Sequence, residues 1–355
     1  MTLRTLAVSV WLLTIARPLA AQSLARFSLD SVVAVDVFQG ENTVDRPNIV
    51  VDISGVLRLS DGWVLYVRPW FRQPRTSEWD KEIYQAALQY ERSGSVSTRV
   101  DAGYIVSPIG LGMMDTRPGV NPTIAPHLSY VTPMPVFDPT APRARPIAST
   151  YPLGAQVTVS TTRWDMRGAV VSSAPTRPYV INGDGNPRAT PVFVGGGGFT
   201  PTPGLRLGLS VANGLHATSQ ELTTQAFGDS RGSTLLALEG EYAFGYTKLA
   251  GEMLANRLQS HLGEETAYAW FVQGIHTLTP RVFIAGRQEG TSAPPLRAVV
   301  SPRDRTAFQT TEATFGYRII PDLTARASYM SRKPFTRTTW DQQVGVSLVW
   351  SSRWR

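Results

Sequence analysis

The sequence predicts an all-β fold, a transmembrane antiparallel up-and-down β-barrel of about 16 strands that follows a cleaved signal peptide. Charged residues make up 17% of the 355-residue chain, against roughly 25% in soluble globular proteins. Apolar and polar residues alternate with period two along most of the chain, as in strands with one buried face. The connections between these segments are alternately long and short, a pattern typical of membrane barrels.

Composition removes several other classes of protein. The chain has no Cys, which excludes disulfide scaffolds, Cys-ligated zinc, iron–sulfur clusters and thiol catalysis. Of its 34 basic residues only Lys81, Lys248 and Lys333 are lysines, so 31 are arginines, and these are scattered singly. Nucleic-acid binders gather basic residues into a patch or along one helix face, so no nucleic-acid partner is expected.

Residues 1–21 have the layout of an export signal. Arg4 gives a positive start, Leu6 to Ile15 form a short apolar core, and small residues end the segment at Ala21. We therefore expect cleavage after Ala21, and residues 22–355 to form the outer-membrane β-barrel.

Each predicted strand shows the same alternation. Val344, Val346 and Leu348, for example, alternate with polar or small residues, and Asp61-Gly62 is a tight-turn signal between two such runs. The predicted strands are 29–40, 47–60, 62–73, 81–93, 95–106, 151–161, 163–174, 191–199, 204–212, 232–244, 246–257, 265–277, 281–290, 306–318, 323–332 and 338–350.

The connections predict the orientation in the membrane. The long ones are expected outside the cell and the short ones in the periplasm. Aromatic residues gather beside the short turns, where a girdle at the headgroup level is expected. The long connections are 41–46, 74–80, 107–150, 175–190, 213–231, 258–264, 291–305 and 333–337; the short ones lie at 61, 94, 162, 200–203, 245, 278–280 and 319–322.

The chain resembles the sixteen-stranded general porins of Gram-negative bacteria. The resemblance lies in the number of strands, the alternation of long and short loops, and an oversized third external loop, 107–150. The resemblance implies that this loop folds into the barrel and narrows the pore, with acidic groups facing basic residues of the wall. The residues expected at the constriction or lining the pore are Asp115, Arg117, Asp138, Arg143 and Arg145 of the loop, with Arg58, Arg68, Arg72, Arg99 and Asp101 of the wall.

A second, local likeness concerns the segment from Gly103 to Gly110. Its Gly, Pro, hydrophobic residue and Gly are similar to a strand-end segment of the phosphate-selective porin family. Nine prolines stiffen 107–150, which lowers the entropy that the loop loses in one fixed path.

Other chemistry finds little support. The four histidines, His127, His216, His261 and His276, form no metal-ligand motif, so neither a metal nor a cofactor is expected. Asn182 to Asn186 is better explained as a loop tip than as a calcium site. Gly195 to Gly198 lacks the residues of a phosphate-binding loop and is expected to form a thin piece of wall.

These observations predict a non-enzymatic channel in the outer membrane for passive diffusion of small hydrophilic solutes. A substrate-specific channel for phosphate or a sugar, and a barrel enzyme or adhesin, stay open as alternatives. The expected partners are outer-membrane lipid, lipopolysaccharide and solutes, and a homotrimer fits the resemblance. A mild anion preference is expected because the basic lining residues Arg58, Arg68, Arg72, Arg99, Arg163, Arg167, Arg206, Arg287 and Arg326 outnumber the acidic ones, Asp101, Asp165, Glu239, Glu241 and Glu252.

Overall fold

The computed structural model forms one closed barrel in which each strand pairs antiparallel with its neighbours in sequence. It describes residues 27–40, 47–73, 78–111, 117–127, 151–172, 190–217, 230–260, 263–292, 307–333 and 339–354. The strands are β1 (Phe27–Gly40), β2 (Asn48–Ser60), β3 (Trp63–Gln73), β4 (Asp80–Arg92), β5 (Ser97–Tyr104), β6 (Leu153–Ser160), β7 (Trp164–Ser172), β8 (Pro191–Thr202), β9 (Leu205–Ala217), β10 (Arg231–Phe244), β11 (Thr247–Ser260), β12 (Gly263–Thr279), β13 (Val282–Ser292), β14 (Ala307–Ile320), β15 (Leu323–Lys333) and β16 (Asp341–Trp354).

The predicted fold class and strand number are confirmed. The barrel closes between its first and last strands, where Leu29 pairs with Trp354 and Gly40 with Gln343. The predicted signal peptide, 1–21, lies outside the described residues. Among the residues described, no helix could cross a membrane.

One predicted boundary moves for a clear physical reason. We expected a strand to reach residue 106, but β5 ends at Tyr104. Gly103 has a φ of 124°, and a Cβ there would lie 2.3 Å from the carbonyl oxygen of Ala86. Only glycine fits this close approach, so the chain leaves the sheet here and turns into the third loop.

The two faces of the wall differ as the alternation predicted. Leu207, Leu209 and Val346 point outward and about half of each side chain is exposed. Their neighbours Arg206 and Ser347 point inward, where each makes hydrogen bonds with other residues of the lumen. This apolar outer face is the surface that a bilayer would cover.

Aromatic side chains mark one rim of the barrel. Trp63 follows the Asp61-Gly62 turn, Tyr246 follows Gly245, and Tyr317 lies near the end of β14, all three exposed. The rings of Trp63 and Tyr90 also contact each other, with centroids 5.0 Å apart. This is the rim that the sequence assigned to the periplasmic headgroup level.

Candidate pore constriction

The third loop starts on one side of the barrel and binds the wall on the other. The Ile105 amide donates to the carbonyl of Pro152, beside β6. Six residues further on, the Leu111 amide donates to Glu252 Oε2 of β11 at 2.6 Å. Between them Ile109 is fully buried in an apolar cluster that includes Leu235 of β10.

The segment 117–127 then binds β13 and β14. Both oxygens of Glu312 on β14 face the segment, and Oε1 accepts hydrogen bonds from the amides of Ile124 at 2.8 Å and Ala125 at 3.2 Å. Arg287 of β13 donates to the carbonyl oxygens of Ala125 at 2.8 Å and Pro126 at 3.3 Å. The guanidinium and the carboxylate also pair with each other at 3.1 Å.

A third wall residue binds the start of the same segment. Nη1 of Arg326, on β15, donates to the carbonyl oxygens of Asn121 at 2.8 Å and Thr123 at 2.9 Å. Its Nη2 donates to Ser347 Oγ on β16 at 2.9 Å. The wall therefore binds the backbone of the loop through charged side chains, and such charge-assisted bonds are stronger than neutral ones.

These contacts require the chain to cross the lumen. β5 and β13 are eight strands apart in a closed ring of sixteen, so they lie on opposite sides. Arg287 and Glu312 lie near the middle of their strands and Arg326 lies nearer the short-turn end of β15. The segment 117–127 is thus inside the barrel and well below its long-loop rim.

The docked segment is also ordered by its own residues. Asn121 Nδ2 donates to the carbonyl of Ala125 at 2.8 Å, and Asn121 Oδ1 accepts from the hydroxyl of Thr123 at 2.9 Å. Ile124 and Ala125 pack against Phe38 of β1 and Met330 of β15. The segment therefore presents backbone polar groups to the charged wall and apolar side chains to an apolar patch.

His127, in the third loop, is the last described residue of the segment 117–127. Its side chain is fully buried, 3.9 Å from Glu289, with its ring edge-on to Phe271. Burial, together with the charge of Arg287, lowers the pKa of His127 well below its usual value.

The residues predicted at the constriction fall into three groups, of which the first is Arg68 alone. Arg68 is only 1% exposed, pairs with Asp52 of β2 at 2.7 and 2.5 Å, and donates to the hydroxyl of Tyr151 at 2.7 Å. The guanidinium of Arg68 lies 5.2 and 5.5 Å from the ring centroids of Tyr84 and Tyr151, and Trp70 stacks on Tyr84. Arg68 is thus buried on the inner face of the wall beside these rings, with its charge balanced by Asp52, and is not open to the lumen.

The second group does face the lumen. Arg58 is exposed near the short-turn end of β2, and Arg72 donates to Asn48 at 2.9 Å. Arg99 pairs with Asp101, and both line one cavity with Arg117 of the docked segment. The third group, Asp115, Asp138, Arg143 and Arg145, lies outside the described residues, so its place opposite the basic wall stays a prediction.

A second charged cluster lies on the wall formed by β7 to β10. Arg206 pairs with Asp165 at 2.8 Å and with Glu239 at 2.8 Å, and Glu239 also pairs with Arg167 at 3.0 Å. A Cβ on Gly198 would lie 2.5 Å from the Arg206 guanidinium. Part of the predicted thin wall therefore makes room for this cluster.

Sequence reasoning placed Arg287 and Arg326 in the lumen but missed Glu312, which binds both Arg287 and the loop. A signal was present, since Glu312 alternates with outward Thr311 and Ala313 in a strand of regular period. What the alternation could not reveal is the partner, since Ile124 is 188 positions away.

Comparisons with known proteins agree with this architecture. No protein-family model matches the chain, and no curated protein matches it by sequence. Among solved structures it is similar to the outer membrane channel DcaP of Acinetobacter baumannii, with a TM-score of 0.61, 11% identity and coverage of 94% of this chain and 99% of that one. It is also similar to OmpF of Salmonella typhi, with a TM-score of 0.59, 10% identity and coverage of 92% and 97%. The anion-selective porin from Comamonas acidovorans gives a TM-score of 0.57, 9% identity and coverage of 92% and 99%.

At these identities the comparisons establish the fold. The resemblance to sixteen-stranded outer-membrane porins is confirmed at that level, over nearly the whole chain. The likeness of Gly103 to Gly110 to phosphate-selective porins is not shown by them and stays a prediction. In the part of the chain that the structure describes, no group of acidic and histidine side chains could hold a metal ion.

Proposed function

We propose that this chain is an outer-membrane channel through which small hydrophilic solutes diffuse passively. The crossing of the lumen by the third loop is the observation that supports this best. A loop bound to Glu252, Glu312 and Arg326 inside a closed barrel narrows the passage along the barrel axis. Pore width and the charges around it then decide which solutes pass.

The membrane location follows from the outer wall. Its exposed leucines and valines alternate with inward polar residues on the same strands, and aromatic rings mark the short-turn rim. The solved structures with the same fold include outer membrane proteins. In the cell envelope this surface contacts outer-membrane lipid and lipopolysaccharide, and the homotrimer that the resemblance implies can be tested by native electrophoresis.

A mild preference for anions is the finer part of the proposal. The lumen carboxylates Asp52, Asp101 and Glu239 are each paired with arginine. Arg58 and Arg72, in contrast, make no ion pair with any described residue. Unbalanced positive charge on the lumen wall attracts anions more strongly than in bulk water, because screening is weaker inside the barrel.

Single-channel recording in planar lipid bilayers tests the function. The purified protein, shown to be a folded barrel by its heat-modifiable gel mobility, should give stepwise conductance that rises with salt concentration. In a potassium chloride gradient, the reversal potential should have the sign of chloride preference. A folded barrel that inserts into the bilayer and gives no conductance steps would contradict the proposal.

A further inference from the structure

The inner wall beside the docked loop contains a cavity of about 210 Å³. At roughly 30 Å³ for each water molecule in the liquid, it has the volume of about seven waters, which is enough room for a small organic solute. Strands β3 to β6 form its back, and Ile105 and Val106 at the start of the third loop form part of its floor. Its polar lining consists of Tyr66, Gln85, Gln89, Arg99, Asp101, Gln156 and, from the docked segment, Arg117.

Arg99 is the charged centre of this cavity. Its Nε donates to both oxygens of Asp101, at 3.0 and 2.9 Å. Nη1 and Nη2 make no hydrogen bond with any described residue, and the side chain is 48% exposed. Asp101 therefore holds the guanidinium in place while its two terminal nitrogens remain available. This is the arrangement that binds a carboxylate through two parallel hydrogen bonds.

Apart from Asp101 and Arg117, the other polar side chains of the lining are neutral. The half-buried amide of Gln85 makes no side-chain hydrogen bond within the described part of the chain. Gln89 donates to Glu91 across a long 3.3 Å, which leaves its carbonyl oxygen without a partner among the residues described. An amide offers both donors and an acceptor, so these side chains suit hydroxyl groups, which also donate and accept.

We propose that this cavity, defined by Arg99, Gln85 and Gln89, binds small hydroxycarboxylates on their way through the pore. The carboxylate binds the terminal nitrogens of Arg99, and the hydroxyl groups bind the two amides. The inference deepens the proposed channel function and rests on it, since it assigns a solute class to one side of the constriction. A neutral polyol lacks the group that Arg99 binds, and a plain carboxylate lacks the groups that the amides bind.

Three solutes with the same three-carbon skeleton separate these contributions. Glycerate has a carboxylate and two hydroxyl groups, glycerol has only hydroxyl groups, and propionate has only the carboxylate. Saturation-transfer NMR on the folded protein in detergent measures their binding whether or not the barrel conducts. Block of the single-channel current measures their effect on transport. Glycerate should bind and block at least about tenfold better than either control, because the loss of one or two hydrogen bonds costs about that factor.

Two variants test the roles of the side chains. Arg99→Lys keeps the positive charge but loses the two parallel donors, so glycerate binding should fall about tenfold while the sign of the ion selectivity is retained. Gln85→Leu should weaken glycerate and leave propionate unchanged. Arg353→Gln on β16, at an exposed ion pair with Asp30 of β1, is the matched control and should leave glycerate binding at the wild-type level.

The outcomes distinguish this proposal from the channel function. Equal binding of glycerate and propionate, or unchanged glycerate binding in Arg99→Lys, would overturn the hydroxycarboxylate site even if conductance is normal. Glycerate binding with the expected variant pattern, in a folded barrel that never conducts, would support the site and contradict the channel.

Discussion

Glu312 of β14 accepts a hydrogen bond from the backbone amide of Ile124 at 2.8 Å, although 188 positions separate the two residues. Glu312 is also paired with Arg287, which donates to the carbonyl of Ala125. One carboxylate thus joins the barrel wall to a loop that comes from the opposite side. Together with Glu252, Arg287 and Arg326, this carboxylate holds the loop against the wall, and we expect the width of the passage to depend on it.

Replacing Glu312 by Ala should release the loop and raise the single-channel conductance. The change removes the acceptor of two backbone amides and the nearer of the two carboxylates that pair with Arg287, leaving Glu289 at 3.6 Å. Removing one partner of a buried pair costs up to about 3–5 kcal/mol, which weakens the docking of the loop. Glu264→Ala, at an exposed ion pair with Arg257, serves as the control and should leave the conductance unchanged. Equal conductance in wild type and Glu312→Ala would show that docking does not control the passage.

Charge reversal should have different effects at Arg72 and at Arg68, two arginines of β3. Arg72→Glu, combined with Arg58→Glu, should move the reversal potential towards cation preference, because both guanidinium groups are without an ion pair among the described residues. Arg68→Glu should instead lower the stability of the barrel, since it would bury a second carboxylate beside Asp52. Reversal potentials and heat-modifiable gel mobility measure the two effects. A selectivity change from Arg68→Glu in a barrel of normal stability would contradict the enclosed position of Arg68.

An arginine on the outer face should cost more than one on the inner face. Val346 lies at the centre of the outward row on β16 and is 53% exposed. Val346→Arg should destabilise the barrel by about 2–4 kcal/mol near the bilayer midplane. Ser54→Arg is the matched control, because Ser54 points inward from β2 and is half-buried in the polar lumen. Equilibrium unfolding of both variants in lipid vesicles compares them, and equal costs would mean that the outer wall does not face lipid.

Single cysteines can determine the orientation, because the chain has no Cys of its own. Gly94 lies between β4 and β5 at the short-turn rim, and Thr339 precedes β16 at the long-loop rim. A membrane-impermeant thiol reagent should label Thr339→Cys on intact cells and Gly94→Cys only after the outer membrane is permeabilised. Labelling in the reverse order would invert the predicted topology.

The alternation of residues was enough to predict the strands, because each strand buries one face and exposes the other whatever its partner is. Even β8, which contains Gly195 to Gly198, forms where it was expected. Turn residues such as Asp61-Gly62 act locally in the same way. Fold class, strand number and the inward position of Arg206 therefore follow from the sequence.

The pairing of charges depended on the tertiary structure. Arg68 and Arg72 are alike in sequence, being two inward arginines four residues apart on β3, yet Arg68 meets Asp52 and an aromatic stack while Arg72 meets Asn48. Their positions in the register of β2 and the return of the chain at Tyr151 create this difference. The path of the loop also depends on the tertiary structure. Glu312 on β14 and Arg287 on β13 bind its backbone amides and carbonyls, which are groups that every residue carries. Backbone groups leave no mark in a sequence, so only closure of the barrel shows where the loop is held.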